Sequence, residues 1–123
     1  MIKKFRYEKD KLKRTELKQG NVVTFSDISL NEPGCMAGFE EMRPEIPMKE
    51  SWTFTTDQFF YVMKGKAEIT YSSSPSYEKE EKIIVEAGDA YFVPIGKCAT
   101  WKIIGSEAFL QLFVLMPRPD SPL

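Results

Sequence analysis

Apolar residues fall in short runs along this chain, separated by glycine, proline and small polar residues, with little that repeats at a helical period. Runs at 22–28, 35–42, 52–54, 59–63, 67–71, 82–85, 91–93, 99–104 and 109–116 are rich in β-branched and aromatic side chains and predict strands. The stretch 86–103 organises the rest: Gly88-Asp89 is a turn, 91–93 a short strand, and Pro94-Ile95-Gly96 a stop before the next strand. Further turns are expected at Gly20-Asn21 and at 31–34. Lys64-Gly65-Lys66 predicts a hairpin between the strands on either side, and 72–82 a polar loop at a hairpin tip with a solvated charge run. Pro44 and Pro47 exclude regular structure over 43–49. Strands at this density, with turn chemistry between them, predict an all-β jelly-roll barrel.

Length adds that there is one domain, residues 1–123: an N-terminal arm and strands over 1–33, a barrel core over 34–117 and a tail over 118–123. With 42% apolar residues, 13% aromatic and a formal charge of −1, the composition is that of an ordinary globular protein. No apolar run approaches the ~20 residues of a membrane-spanning helix, and the basic N-terminus has no apolar segment behind it, so a cytoplasmic protein without a membrane partner is expected. Cys35 and Cys98 are isolated and read as reduced thiols. Residues 1–20 carry eight Lys or Arg against three acids, which leaves nine against fifteen from the totals of 17 and 18. Such a patch reads as an edge protected by charge rather than a nucleic-acid footprint, which needs a net basic domain.

Two segments carry a resemblance. Asp57-Gln58-Phe59-Phe60-Tyr61-Val62-Met63-Lys64-Gly65 and Gly88-Asp89-Ala90-Tyr91-Phe92-Val93-Pro94-Ile95-Gly96 resemble the two motifs of the cupin superfamily, G-x5-H-x-H-x3/4-E-x6-G and G-x5-P-x-G-x2-H-x3-N. With the residues around Trp52 and Trp101, the chain is most similar to the EutQ-like ethanolamine-utilisation branch over roughly 34–117. The resemblance implies a double-stranded β-helix, the cupin jelly roll. It also assigns metal-ligand positions, and here they do not hold ligands. The Glu position is Gln58, the third His position is Ala99 and the Asn position is Ile103. The first two His positions are Ser51 and Thr53, or Trp52 and Phe54, according to the spacer. The chain has no histidine at all. A three-His, one-carboxylate site cannot form, so no metal and no other cofactor is expected.

Alternation along the strands puts Ala99 with Trp101, and Gln58 with Phe60 and Val62, on common faces. If those faces point inward, they form either a filled core or a small-molecule pocket, with the Ala99 position leaving a gap beside an indole. Trp52, Phe54, Gln58, Phe60, Tyr91, Ala99 and Trp101 are the candidate ligand-binding residues. Glu41 joins them: of Glu40 and Glu41 at most one faces inward, and a buried carboxylate there suits acid–base chemistry. Asp57 and Asp89 read as turn residues. Three functions stay open: a metal-free cupin that binds a small organic ligand, accessory to small-molecule catabolism; a His-independent isomerase, lyase or phosphotransferase working through a carboxylate or Tyr; and a non-catalytic dimeric scaffold. A homodimer is expected in each, because strands near the N-terminus need a sheet edge to pair with.

Overall fold

The computed structural model describes residues 2–16, 23–46, 51–73 and 79–117. Ten strands run through these residues: β1 (Lys13–Glu16), β2 (Val23–Glu32), β3 (Cys35–Met42), β4 (Trp52–Thr53), β5 (Asp57–Lys64), β6 (Lys66–Ser72), β7 (Glu81–Glu86), β8 (Ala90–Val93), β9 (Cys98–Ile103) and β10 (Phe109–Met116). They form a six-stranded sheet, ordered β1-β2-β3-β10-β5-β8, and a four-stranded sheet, ordered β4-β9-β6-β7, with every pairing antiparallel. This is the all-β jelly roll that the periodicity predicts.

The chain crosses between the sheets at tight glycine corners. Lys64-Gly65-Lys66 is one of them and is not a hairpin: β5 lies in the large sheet against β10 and β8, while β6 lies in the small one against β9 and β7. Gly65 holds φ 83°, and a Cβ there would come within 2.5 Å of the Ala108 carbonyl, so the corner has room only for glycine. The β6–β7 pairing is the expected hairpin; residues 74–78 of its tip lie outside the described residues, as do the Gly20-Asn21 turn and the tail from 118. Asp89 acts in a turn as expected, accepting from the Glu86 N–H at 2.8 Å, whereas Asp57 is the first residue of β5 and accepts at 2.9 Å from the Ile95 N–H between β8 and β9.

Between the sheets lies an apolar core that includes Phe54, Phe60, Val62, Ile69, Trp101 and Phe109, each no more than 4% exposed. A second apolar layer sits outside the large sheet, where the N-terminal arm lays Phe5 and Tyr7 against Phe39 with ring centroids 5.9 and 5.8 Å apart. Both faces of β3 are therefore buried. No helix among the described residues is long and apolar enough to cross a membrane.

Candidate functional site

Strand parity decides which side chains meet between the sheets. On β5, Gln58, Phe60 and Val62 point inward and are 7%, 2% and 0% exposed, while Tyr61 points out at 42%. On β9, Trp101 points inward, with Ala99 on the same face. On β3 the inward residues are Met36, Glu40 and Met42, and on β10 they include Gln111, Phe113 and Leu115. These faces enclose a cavity of about 180 Å³. Phe54, Phe60 and Trp101 form its aromatic wall, with mutual centroid distances of 6.0–6.2 Å. Thr24, Ser26 and Ile28 of β2, with Thr15 of β1, close the opposite side, where the Thr15 and Ser26 hydroxyls are 2.8 Å apart.

Of the residues singled out from the sequence, Trp52, Phe54, Gln58, Phe60 and Trp101 line this cavity together. Tyr91 lies behind Phe60, its ring stacked at 4.7 Å and 15°. Ala99 does not reach the cavity: it is fully buried, with Trp52 and Tyr71 as its cross-strand neighbours. The space beside Trp101 is bounded by Trp52, Phe54 and Phe60 and not by Ala99. Glu41 does not join the set either. It faces the outside of β3 and pairs with the Arg43 guanidinium at 2.7 Å, which also lies 3.5 Å from the centroid of the Phe25 ring. The inward carboxylate is Glu40. Trp52 and Phe54, rather than Ser51 and Thr53, occupy the inward positions at the start of the first motif.

Sequence reasoning missed Gln111, although one signal was available: it is the lone polar residue in the apolar run 109–116. It is 0% exposed and links the two sheets through a directed chain of hydrogen bonds. The Trp101 Nε1–H donates to the Tyr91 hydroxyl at 3.0 Å, that hydroxyl donates to Gln111 Oε1, and Gln111 Nε2 donates to Glu40 Oε1 at 2.8 Å. An indole can only donate, so the Tyr91 hydroxyl accepts from Trp101 and its own proton is free for Gln111 Oε1, with the Gln111 amide nitrogen turned toward Glu40. Burial pushes the Glu40 carboxyl up to about 7, with the Gln111 hydrogen bond acting in the opposite direction. Burial also raises Tyr91 well above the usual phenol range, which keeps it a neutral donor.

The donor set can be tested against the metal that the motif positions imply. Three of those positions, Trp52, Phe54 and Gln58, line the cavity and present an indole, a phenyl and a carboxamide. Among the described residues no three His, Cys, Asp or Glu side chains converge. One carboxylate and neutral amides do not fit a borderline-soft divalent ion.

Comparison with known proteins follows the same lines. Residues 47–106 match the model of the EutQ-like cupin domain. The chain has the cupin fold. It superposes on the EutQ protein of Clostridium difficile with a TM-score of 0.66 at 17% identity, covering 92% of this chain and 81% of that one. For the cupin domain of Schizosaccharomyces pombe Cnp3 the values are 0.70, 18%, 95% and 77%. For a putative ethanolamine utilization protein Q of Salmonella typhimurium LT2 they are 0.61, 20%, 78% and 71%. At these identities the structural matches establish the fold. No curated protein matches the sequence.

Proposed function

We propose that this cupin-fold chain is a metal-free small-molecule binding protein whose ligand occupies the cavity between the two sheets. The observation that carries this is a cavity of about 180 Å³ with an aromatic wall and a few polar side chains, Glu40 and Gln58 among them, at the place where the family's motifs put a metal. A mostly apolar lining with a few orienting polar groups is the common make-up of an organic-ligand site. Similarity to EutQ-like domains supports a role in small-molecule catabolism of the ethanolamine type; a cytoplasmic homodimer is part of the same proposal. A thermal-shift screen of small organic compounds on chelator-treated protein tests the reading, because a ligand that binds only the native state raises the melting temperature by mass action. Hits whose shifts vanish when Phe60→Ala is compared with the parent support it; a library without a single saturable shift overturns it.

One observation favours catalysis as a second reading. A carboxyl held near 7 beside a mostly apolar cavity is suited to general acid–base work, and Glu40 is such a group. In that case Glu40 is the proton carrier and the Trp101–Tyr91–Gln111 chain positions it.

A further inference from the structure

The polar groups of the cavity are few and of one sign. Among the described residues that line it, Glu40 alone is ionisable, and none of them is a Lys or Arg that could meet an anion. Both cross-strand neighbours of Glu40, Ser26 on β2 and Gln111 on β10, are neutral. The other titratable group in reach is the Tyr91 phenol, which stays protonated. Glu41, the next residue, is turned to the opposite face and already engaged with Arg43.

Two acceptor positions remain open. Gln111 engages Glu40 Oε1, and no other hydrogen bond reaches this carboxylate among the described residues. Gln58 is 7% exposed, faces the cavity, and makes no hydrogen bond through its carboxamide among the described residues. Phe54, Phe60 and Trp101 supply an aromatic wall, and ring faces attract cations.

We propose that the ligand of this cavity is a compact primary alkylammonium ion. Its N–H groups bond to the free oxygen of Glu40 and to Gln58 Oε1, and its short apolar body rests against Phe54, Phe60 and Trp101. This deepens the ligand-binding reading above and rests on it. Glu40 binds in its ionised form, so affinity rises with pH as the carboxyl loses its proton. With that carboxyl near 7 and the amine protonated throughout, binding strengthens roughly tenfold between pH 6 and pH 8.

Three probes of one shape separate the possibilities: 3,3-dimethylbutylamine, a cation at neutral pH; 3,3-dimethyl-1-butanol, neutral; and 3,3-dimethylbutyrate, an anion. Each is titrated into the full chain, at pH 6 and pH 8, with Trp fluorescence and melting temperature as readouts. The expected result is amine bound at least tenfold more tightly than alcohol at pH 8, a preference lost in Glu40→Gln while alcohol binding persists. Gln58→Leu should weaken the amine without abolishing its pH dependence, a second readout if Glu40→Gln fails to fold. Alcohol or butyrate binding as tightly as the amine overturns the ammonium assignment and leaves a small-molecule site standing. Absence of saturable binding by all three, together with an empty library screen, overturns both.

Discussion

Gln111 Nε2 lies 2.8 Å from Glu40 Oε1 across the β3–β10 pairing, and this bond holds the inward carboxylate of β3 in place. The bond favours the ionised acid, yet burial dominates and the carboxyl sits at about 7 instead of its ordinary 4.5. The native state thus binds a proton more tightly than the unfolded chain does. Stability from this group is fully present below about pH 4.5 and declines as pH rises to about 7, where the loss is complete. Glu40→Gln, which stays neutral, should match the parent near pH 4 and exceed it at pH 8 by on the order of 3 kcal/mol, at ~1.4 kcal/mol per unit. Urea melts of both proteins across that range check this; parallel profiles would contradict it.

Tyr91→Phe tests the hydrogen-bond chain from its middle. The substitution keeps the ring stacked on Phe60 but leaves the Trp101 N–H and Gln111 Oε1 without a partner. The expected loss is about 1–3 kcal/mol, the usual cost of stranding buried polar groups. Pairing it with Gln111→Leu in a double-mutant cycle should give strong coupling, whereas additive losses would show that the chain does not act as a unit.

Most of the fold is legible in the sequence, because strand runs and glycine turns are local signals. Expected and observed bounds coincide for 35–42 and 109–116 and differ elsewhere mainly at strand ends. β1 was not legible: Lys13, Arg14, Thr15 and Glu16 have no apolar pattern, and pairing with β2 makes them a strand. Gly65 was legible as a turn but not as a corner, since three residues can reverse a strand or carry it to the other sheet. The choice between Glu40 and Glu41 had a deeper cause. Alternation says that one faces inward, but Met36 and Met42 on one face and Phe39 on the other are all apolar, because Phe5 and Tyr7 cover the outer side. A strand buried on both faces hides its phase.

The metal-free proposal predicts that purified protein carries no stoichiometric zinc, iron, nickel or manganese. Cys98 is buried and Cys35 lies at the start of β3, so neither thiol enlarges the donor set that Glu40 and Gln58 offer at the cavity. Elemental analysis after a brief chelator wash measures this, and one retained equivalent would sink the proposal.

Homodimer formation now has a different motive from the one drawn at the N-terminus. β2 finds its partners, β1 and β3, within its own chain. The outer surface around β5 and β8 instead leaves Tyr61 and Phe92 42% and 53% exposed at the edge of the large sheet. Apolar surface on an edge strand invites a second copy. Light scattering at ~50 μM should return the mass of two chains, and Phe92→Lys should return that of one without lowering the melting temperature. A monomeric parent at that concentration counts against the proposal.

Ala99→Phe separates the cavity from the packed part of the barrel. Had the cavity opened at Ala99, a phenyl ring could fill it at little cost. The structure instead buries Ala99 completely between Trp52 and Tyr71 on the neighbouring strands, and Ala99 does not line the cavity. A larger side chain there has to displace packed neighbours, with an expected cost of ~1–3 kcal/mol. Trp101 is 4% exposed, so its parent emission should be that of a buried indole. Trp52→Phe, measured first for its own stability, makes Trp101 the sole reporter in both backgrounds. A marked fall in melting temperature, with Trp101 emission still responding to ligand, is the expected outcome. An unchanged melting temperature with the ligand response abolished would instead put the cavity at Ala99.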